Sequence, residues 1–231
     1  MGDEEGALEQ NGYIVTKSKE VGGEVDEINV ELDAGKNPFQ EIKGLKFWSK
    51  NFGPENESIL RDLPSFDVVF FTSYTMIGKH SSTALHTLLT EHEQVQSINE
   101  IGICVVFAFG GASQIKVEPG SHRTPKIRSF ATDEDSSRIK ATIKLNHACV
   151  KGPTEIIALD DGGRLLIDPR LNFCILEGKG MMFIYRKSVV ERPPMSFPVG
   201  LEEFITRLET DKFKIHAEFS KRIEPAAPEA G

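Results

Sequence analysis

The sequence predicts an α+β fold: a largely antiparallel sheet with two short amphipathic helices and disordered tails. Three observations carry this reading. Most patterned segments alternate apolar and polar residues with period two, the signature of strands. Gly-rich turns separate consecutive segments, and only two segments have helical spacing. With 231 residues, 39% of them hydrophobic and 27% charged, the chain is long enough to bury one sizeable core.

Residues 1–33 hold ten Asp and Glu against two Lys, a net −8 that equals the charge of the whole chain. The other residues therefore balance. Rich in Glu and Gly, this stretch is expected to bury too little surface to offset chain entropy, so residues 1–35 are predicted to be a disordered acidic N-terminal tail. Its opening, MGDEEGALEQ, lacks the basic-then-apolar layout of a secretory signal. Gly6 stands where a myristoylation motif wants Ser or Thr. An intracellular chain is expected, and the NES sequon at Asn56 then carries no weight. A single globular domain is expected over 36–220, followed by a frayed C-terminal tail over 221–231.

That domain opens on KNPFQEIKGLKFWSK (36–50), with four lysines, one acid and the single Trp. Two readings stay open for it. Phe47 and Trp48 cap the core, or the segment is a basic, aromatic patch that touches phosphate or another subunit. Next, FDVVFFTSYTMI (66–77) reads as a strand with Phe66, Val68, Phe70, Tyr74 and Met76 on one face. Residues 82–95 read as a helix with Leu85, Leu88, Leu89, His92 and Val95 on one stripe. GICVVFAF (102–109) is apolar on both faces, so it is predicted to be a central strand covered from both sides. RIKATIKLNHAC (138–149) alternates cleanly and has one wet face. TEIIAL (154–159) and RLLID (164–168) read as a hairpin through DDGG, and LNFCIL (171–176) and MMFIYR (181–186) as a second through EGKG. The second helix falls near 200–210, with Leu201, Phe204, Ile205 and Leu208 on one face and Glu202 and Glu203 in the first turn.

Chemical signals are few. Cys104, Cys149 and Cys174 lie in strand-like segments and read as small core side chains in a reducing compartment. On a helix, His86 and His92 diverge too far to share a metal. His80 precedes that helix without an accompanying Ser, Cys or acid motif. His122 falls in the Pro-punctuated basic loop EPGSHRTPKIR (118–128). Asp160 and Asp161 suit a turn better than a calcium loop, and Asp168 before Pro169 marks a chain reversal. Phosphate-binding GxxxxGK[ST], GxGxxG after a strand, GxSxG and paired Cys motifs are missing. The expectation is therefore a non-enzyme with no catalytic residue, metal or cofactor.

The order of elements over 66–118, a strand with FFT, a short helix of the TALHTLLTEHE kind, a buried strand and the turn FAFGGAS, behind a disordered tail, resembles the matrix proteins of rhabdoviruses, particularly plant-infecting members. The tail is acidic where animal-virus members are lysine-rich, and RPPMSF (192–197) has the prolines of a PPxY budding motif without its tyrosine. The resemblance implies a structural protein of the virion and of the host cytoplasm or nucleus. It would self-assemble, condense the viral ribonucleoprotein and link the nucleocapsid to the envelope, with a possible peripheral membrane contact and no small-molecule substrate. The contact residues expected for that role are Lys43, Lys46, Phe47, Trp48 and Lys50, then Arg123, Lys126 and Arg128. Avidity across many weak contacts would supply the strength. One rival reading is a plant-virus movement or accessory protein that binds nucleic acid. The other is a cellular enzyme, which would gather several polar residues near His80 or Asp168.

Overall fold

The computed structural model describes residues 3–52, 68–72, 76–78, 85–88, 103–124, 146–147, 152–186, 194–211 and 213–220. Its elements run α1 (Asp3–Asn11), β1 (Tyr13–Lys17), α2 (Lys19–Asp33), α3 (Ile42–Phe52), β2 (Val68–Thr72), β3 (Met76–Gly78), β4 (His86–Thr87), β5 (Ile103–Phe109), β6 (Ser113–Glu118) and β7 (Asn146–His147), then β8 (Glu155–Leu159), β9 (Gly163–Ile167), β10 (Asn172–Glu177), β11 (Lys179–Arg186), β12 (Met195–Pro198), α4 (Glu202–Leu208), β13 (Phe213–Ile215) and β14 (Ala217–Ser220). The class is α+β with antiparallel sheets and few short helices. A seven-stranded sheet is ordered β1-β9-β5-β11-β2-β13, with β3 also on β11, and a five-stranded sheet is ordered β7-β4-β10-β6-β8. A separate parallel pair joins β12 to β14.

β5 explains the layering. Its odd residues, Val105, Phe107 and Phe109, face the five-stranded sheet and pack with Ile115 and Val117 of β6, Leu165 and Ile167 of β9, and Phe173 and Ile175 of β10. Its even residues, Cys104, Val106 and Ala108, face the other way, toward Val21, Val25 and Ile28 of α2 and Leu45, Phe47 and Trp48 of α3. A strand with no polar face must be covered twice, and here a second sheet covers one side and helices the other.

Both expected hairpins are absent. β9 pairs with β1 and β5, with Val106 opposite Leu166 and Phe107 opposite Leu165. β8 instead pairs with β6, with Ile115 opposite Ile157. In the same way β10 joins β6 and β4 while β11 joins β5, β2 and β3. The turns at 110–112, 160–162 and 178 thus carry the chain from one sheet to the facing one, the jelly-roll arrangement. Burial explains the difference. β9 is largely buried on both faces and belongs in the covered sheet, whereas the exposed start of β8 suits the edge of the other. Gly162, at φ 84°, is required at its crossing, since a Cβ there would overlap the Gly22 backbone and the Phe109 carbonyl.

The expectation of a disordered N-terminus also fails. Residues 3–33 fold into α1, β1 and α2, which is capped by Ser18, whose Oγ accepts from the Val21 N–H at 3.3 Å. Averaged over the segment, its acidity hid a buried stripe at Val21, Val25 and Ile28, spaced four and three residues apart. Residues 221–231 lie outside the described residues. The predicted helix over 82–95 is corrected where it is described: His86 and Thr87 form β4, laddered between β10 and β7. Sheet pairing outweighs a weak helical preference. The strand expected over 66–77 divides into β2 and β3, both on β11. The alternating segment 138–149 is described only at β7. The helix near 200–210 is present as a 3-10 turn, Val199–Leu201, that runs into α4.

Trp48 is 1% exposed and packs at 5.5 Å from the Phe213 ring, so it joins α3 to the edge of the large sheet. Trp48→Ala is expected to lower unfolding stability by about 3–5 kcal/mol in urea titration; a loss within error would place the indole outside the core.

Candidate functional site

The residues of interest gather at the end of the sandwich opposite the three crossing turns, where β9 returns into β10 through residues 168–171. The DPRL sequence builds this reversal locally. Asp168 Oδ1 accepts from the Arg170 backbone N–H at 2.8 Å and from Arg170 Nε at 3.0 Å, while Oδ2 accepts from Nη2 at 2.7 Å. Carboxylate and guanidinium are both buried, and the two-pronged geometry is the strong form of such a pair. The Asp168 N–H donates to the Gly12 carbonyl at 2.9 Å, and the Pro169 carbonyl accepts from Leu88 N–H at 3.1 Å and Thr87 Oγ1 at 3.3 Å. One turn therefore fastens the start of β1 on one side and β4 on the other.

Beside it, Glu118 at the end of β6 accepts from Asn172 Nδ2 at 2.6 Å and from the Gly152 N–H at 2.5 Å. Ser121 Oγ accepts from the Asn172 N–H at 2.9 Å. His122 and Arg123 close the C-terminus of α1, whose Glu9 carbonyl accepts from His122 Nε2 at 3.0 Å and from Arg123 Nε and Nη2 at 2.9 and 2.6 Å. A carbonyl can only accept, so the His122 proton sits on Nε2 and Nδ1 is left as a buried acceptor with no partner. Gly12 makes the close approach possible, because a Cβ at its φ of 85° would overlap the imidazole. Burial lowers the His122 pKa; the Asp168 carboxylate and the Glu9 carbonyl oppose this, and the Arg170 and Arg123 guanidinium groups add to it.

His86 is placed differently. It is 3% exposed and its Cα partner across the ladder is Phe173, which points into the core between the sheets. Residues directly opposite in an antiparallel pair share a face, so His86 faces inward as well. Leu88, two residues on, belongs to the same core. The cluster around Asp168 satisfies its own charges and acts as a keystone of this end, whereas His86 is a buried imidazole whose ladder partners are Phe173 on one side and His147 on the other. The helical argument against a metal involving His86 and His92 does not apply, since His86 is on a strand; His80 and His92 lie outside the described residues.

The contact residues expected from sequence are not brought together as an interaction patch. Phe47 and Trp48 are core residues. Lys43 Nζ donates to Glu31 at 2.5 Å, and Lys50 Nζ to Glu20 and Glu24 at 2.6 and 2.8 Å. The hydrogen bonds that Lys50 donates to the Glu20 and Glu24 carboxylates hold its ammonium above its ordinary pKa. The acidic and basic segments do meet, but as α2 and α3 of one chain. Lys46 is exposed, Arg123 serves α1, and Lys126 and Arg128 lie outside the described residues. What sequence reading missed is the gathering of Glu118, Ser121, His122, Asp168, Arg170 and Asn172; the available signal was the Asp-Pro-Arg turn and the Gly120–Arg123 bend.

No family model and no curated protein matches the chain. Among solved structures it is similar to a non-heme monooxygenase, ThoJ in its apo form, with 10% identity, a TM-score of 0.50, and coverage of 95% of this chain and 89% of that one. Two others are HygX from Streptomyces hygroscopicus, solved with nickel and 2-oxoglutarate bound (14% identity, TM-score 0.48, 81% and 87% covered), and SnoN, a non-heme alpha-ketoglutarate-dependent epimerase from nogalamycin biosynthesis (12% identity, TM-score 0.48, 94% of each chain covered). The likeness to the monooxygenase is one of fold. It overturns the resemblance to rhabdovirus matrix proteins, because the likeness of fold runs through nearly the whole chain, where that resemblance rested on the order of a few segments. The structural, non-enzymatic role, the nucleocapsid partner, the exclusion of a small-molecule substrate and the virion setting fall with that resemblance. Among the described residues no helix is long and apolar enough to cross a membrane.

His122 also sets a pH dependence. A pKa lowered on folding contributes stability that is complete above the ordinary histidine value and is lost as pH falls below it. Wild type should therefore lose more unfolding stability between pH 7.5 and 5.5 than His122→Gln, whose amide can still donate to Glu9; equal losses in urea titrations would contradict the assignment.

Proposed function

We propose that the chain is an enzyme that acts on a small molecule at the 168–171 end of its jelly roll, with His86 as the proton-handling group. The observation that carries this reading is a buried imidazole facing inward from β4, beside a reversal locked by the Asp168–Arg170 pair. An imidazole can take up or release a proton near neutral pH, and apolar walls strengthen whatever hydrogen bond it makes by excluding water. Leu88, Phe173 and Met182 belong to that wall, which suits a substrate that is mostly apolar and presents one polar group. The Asp168–Arg170 fork and the Pro169 carbonyl hold β4 in place, so they position His86 without touching the reacting atoms.

The likeness to a non-heme monooxygenase raises the question of a metal. A metal held by protein side chains on such a scaffold needs about three N or O donors on one face. Among the described residues no three of His, Cys, Asp or Glu come together in that way. No step is routed through a metal.

The test is consumption of a small molecule. Purified protein incubated with a cell metabolite extract should deplete at least one compound by mass spectrometry, and His86→Ala should slow that depletion by about 10²-fold or more, the range lost with a general acid or base. An extract left unchanged by wild type, or changed equally by the variant, would refute the reading.

Breaking the supporting pair has a separate expectation. Asp168→Asn leaves a buried guanidinium with only part of its partner, and should cost about 3–5 kcal/mol in urea titration; a cost near zero would show that the fork does not hold this end together.

A further inference from the structure

α1 is lightly held. It has nine residues, too few to be stable as an isolated helix. Among its described side chains, Leu8 enters the core and Ala7 packs partly against it. The rest of its hold is polar and comes from the Gly120–Arg123 bend. The Asn11 carbonyl accepts from the Gly120 N–H at 2.9 Å, and the Glu9 carbonyl accepts from His122 Nε2 and from two nitrogens of Arg123. His122 is 4% exposed, and its Nδ1 lies against the bare Gly12 Cα with no hydrogen-bond partner. The charged groups facing the ring are Asp168 and Arg170 of the reversal and Arg123 of its own bend. Both Asp168 oxygens already accept from Arg170, and Glu118 of β6 accepts from Asn172 and Gly152. A proton added at Nδ1 thus becomes a buried donor that faces a Cα instead of an acceptor. Burial and the two guanidinium groups oppose that proton more than the Asp168 carboxylate favours it.

We propose that His122 is the latch of a proton-operated strap: under mildly acidic conditions the ring turns out to hydrate its new N–H, and α1 lifts from the Gly120–Arg123 bend while both sheets stay folded. The turn breaks the Nε2 bond to Glu9 and leaves Arg123 alone on that carbonyl. Leu8 then remains as the apolar tie, and burying one such side chain is worth about 1.5–3 kcal/mol, which lies in the range of local opening. Release also frees the chain leading into β1, whose Gly12 carbonyl accepts from the Asp168 N–H. Acid therefore loosens the cover of this end of the sandwich, whatever reaction takes place there.

Hydrogen exchange read by mass spectrometry, with protection expressed relative to the intrinsic rate at each pH, tests the strap on the full chain. Protection of the α1 amides is expected to fall by about five- to tenfold between pH 7.5 and 5.5, while β5 and β10 stay protected. His122→Gln, whose amide still donates to Glu9, should show no such fall. Arg123→Met should lower protection at both pH values and still show a further fall in acid. In wild type the His122 ring nitrogens, followed by NMR, should titrate with the same midpoint as the loss of α1 protection. Equal protection at both pH values, a fall that persists in His122→Gln, a fall shared by β5 and β10, or a separate His122 midpoint would each overturn the proposal.

Discussion

The structure depends on one constraint, that β5 has no polar face. ICVVFAF can be stable in water only if both of its sides are covered, and the remaining elements are arranged to do this. β6 and β10 bring Ile115, Val117, Phe173 and Ile175 against Val105, Phe107 and Phe109. α2 and α3 bring Val25, Ile28 and Trp48 against Cys104, Val106 and Ala108. The helical layer comes from the N-terminal segment, so the acidic residues that dominate its composition serve as the wet face of a covering helix, and two of the lysines that follow are neutralised locally by Glu20, Glu24 and Glu31.

The same constraint positions the site. Once β9 is drawn into the covered sheet and β10 into the facing one, the reversal between them spans the thickness of the sandwich, and it needs internal bracing. Asp168 and Arg170 provide it, and the Pro169 carbonyl passes the bracing on to β4. His86 owes its inward direction to register alone, since its partner Phe173 points into the core. Electrostatics enters mainly at His122, whose buried imidazole closes α1, has its pKa lowered by that burial, and faces Asp168, Arg170 and Arg123 across the same small volume.

Much of the secondary structure was legible in the sequence, and the topology was not. β5, β8, β9, β10 and β11 fall where alternation and apolar runs place them, and the DDGG and EGKG turns fall between them. Turn chemistry reports that the chain reverses; it does not say whether the next strand lies beside its predecessor or across from it. That choice is made by burial over the whole sheet, which a local window does not contain. α2 was missed because segment charge was read before residue spacing, although Val21, Val25 and Ile28 carry a helical stripe. β4 was read as helix because its ladder comes from Phe173 and His147, each some sixty residues or more away. Of the candidate site, only the turn at Asp168–Pro169 could be read, and His86 became a candidate once it was seen to sit on a strand.

Backbone proton contacts between strands measure this account most directly. In a NOESY experiment on labelled protein, the jelly roll predicts contacts between β5 and β9 about the Phe107–Leu165 and Val106–Leu166 partners, between β6 and β8 about Ile115–Ile157, and between β4 and β10 at His86–Phe173. Strong β8–β9 and β10–β11 contacts in place of these would restore the two local hairpins, remove the second cover from β5 and leave His86 without its inward place.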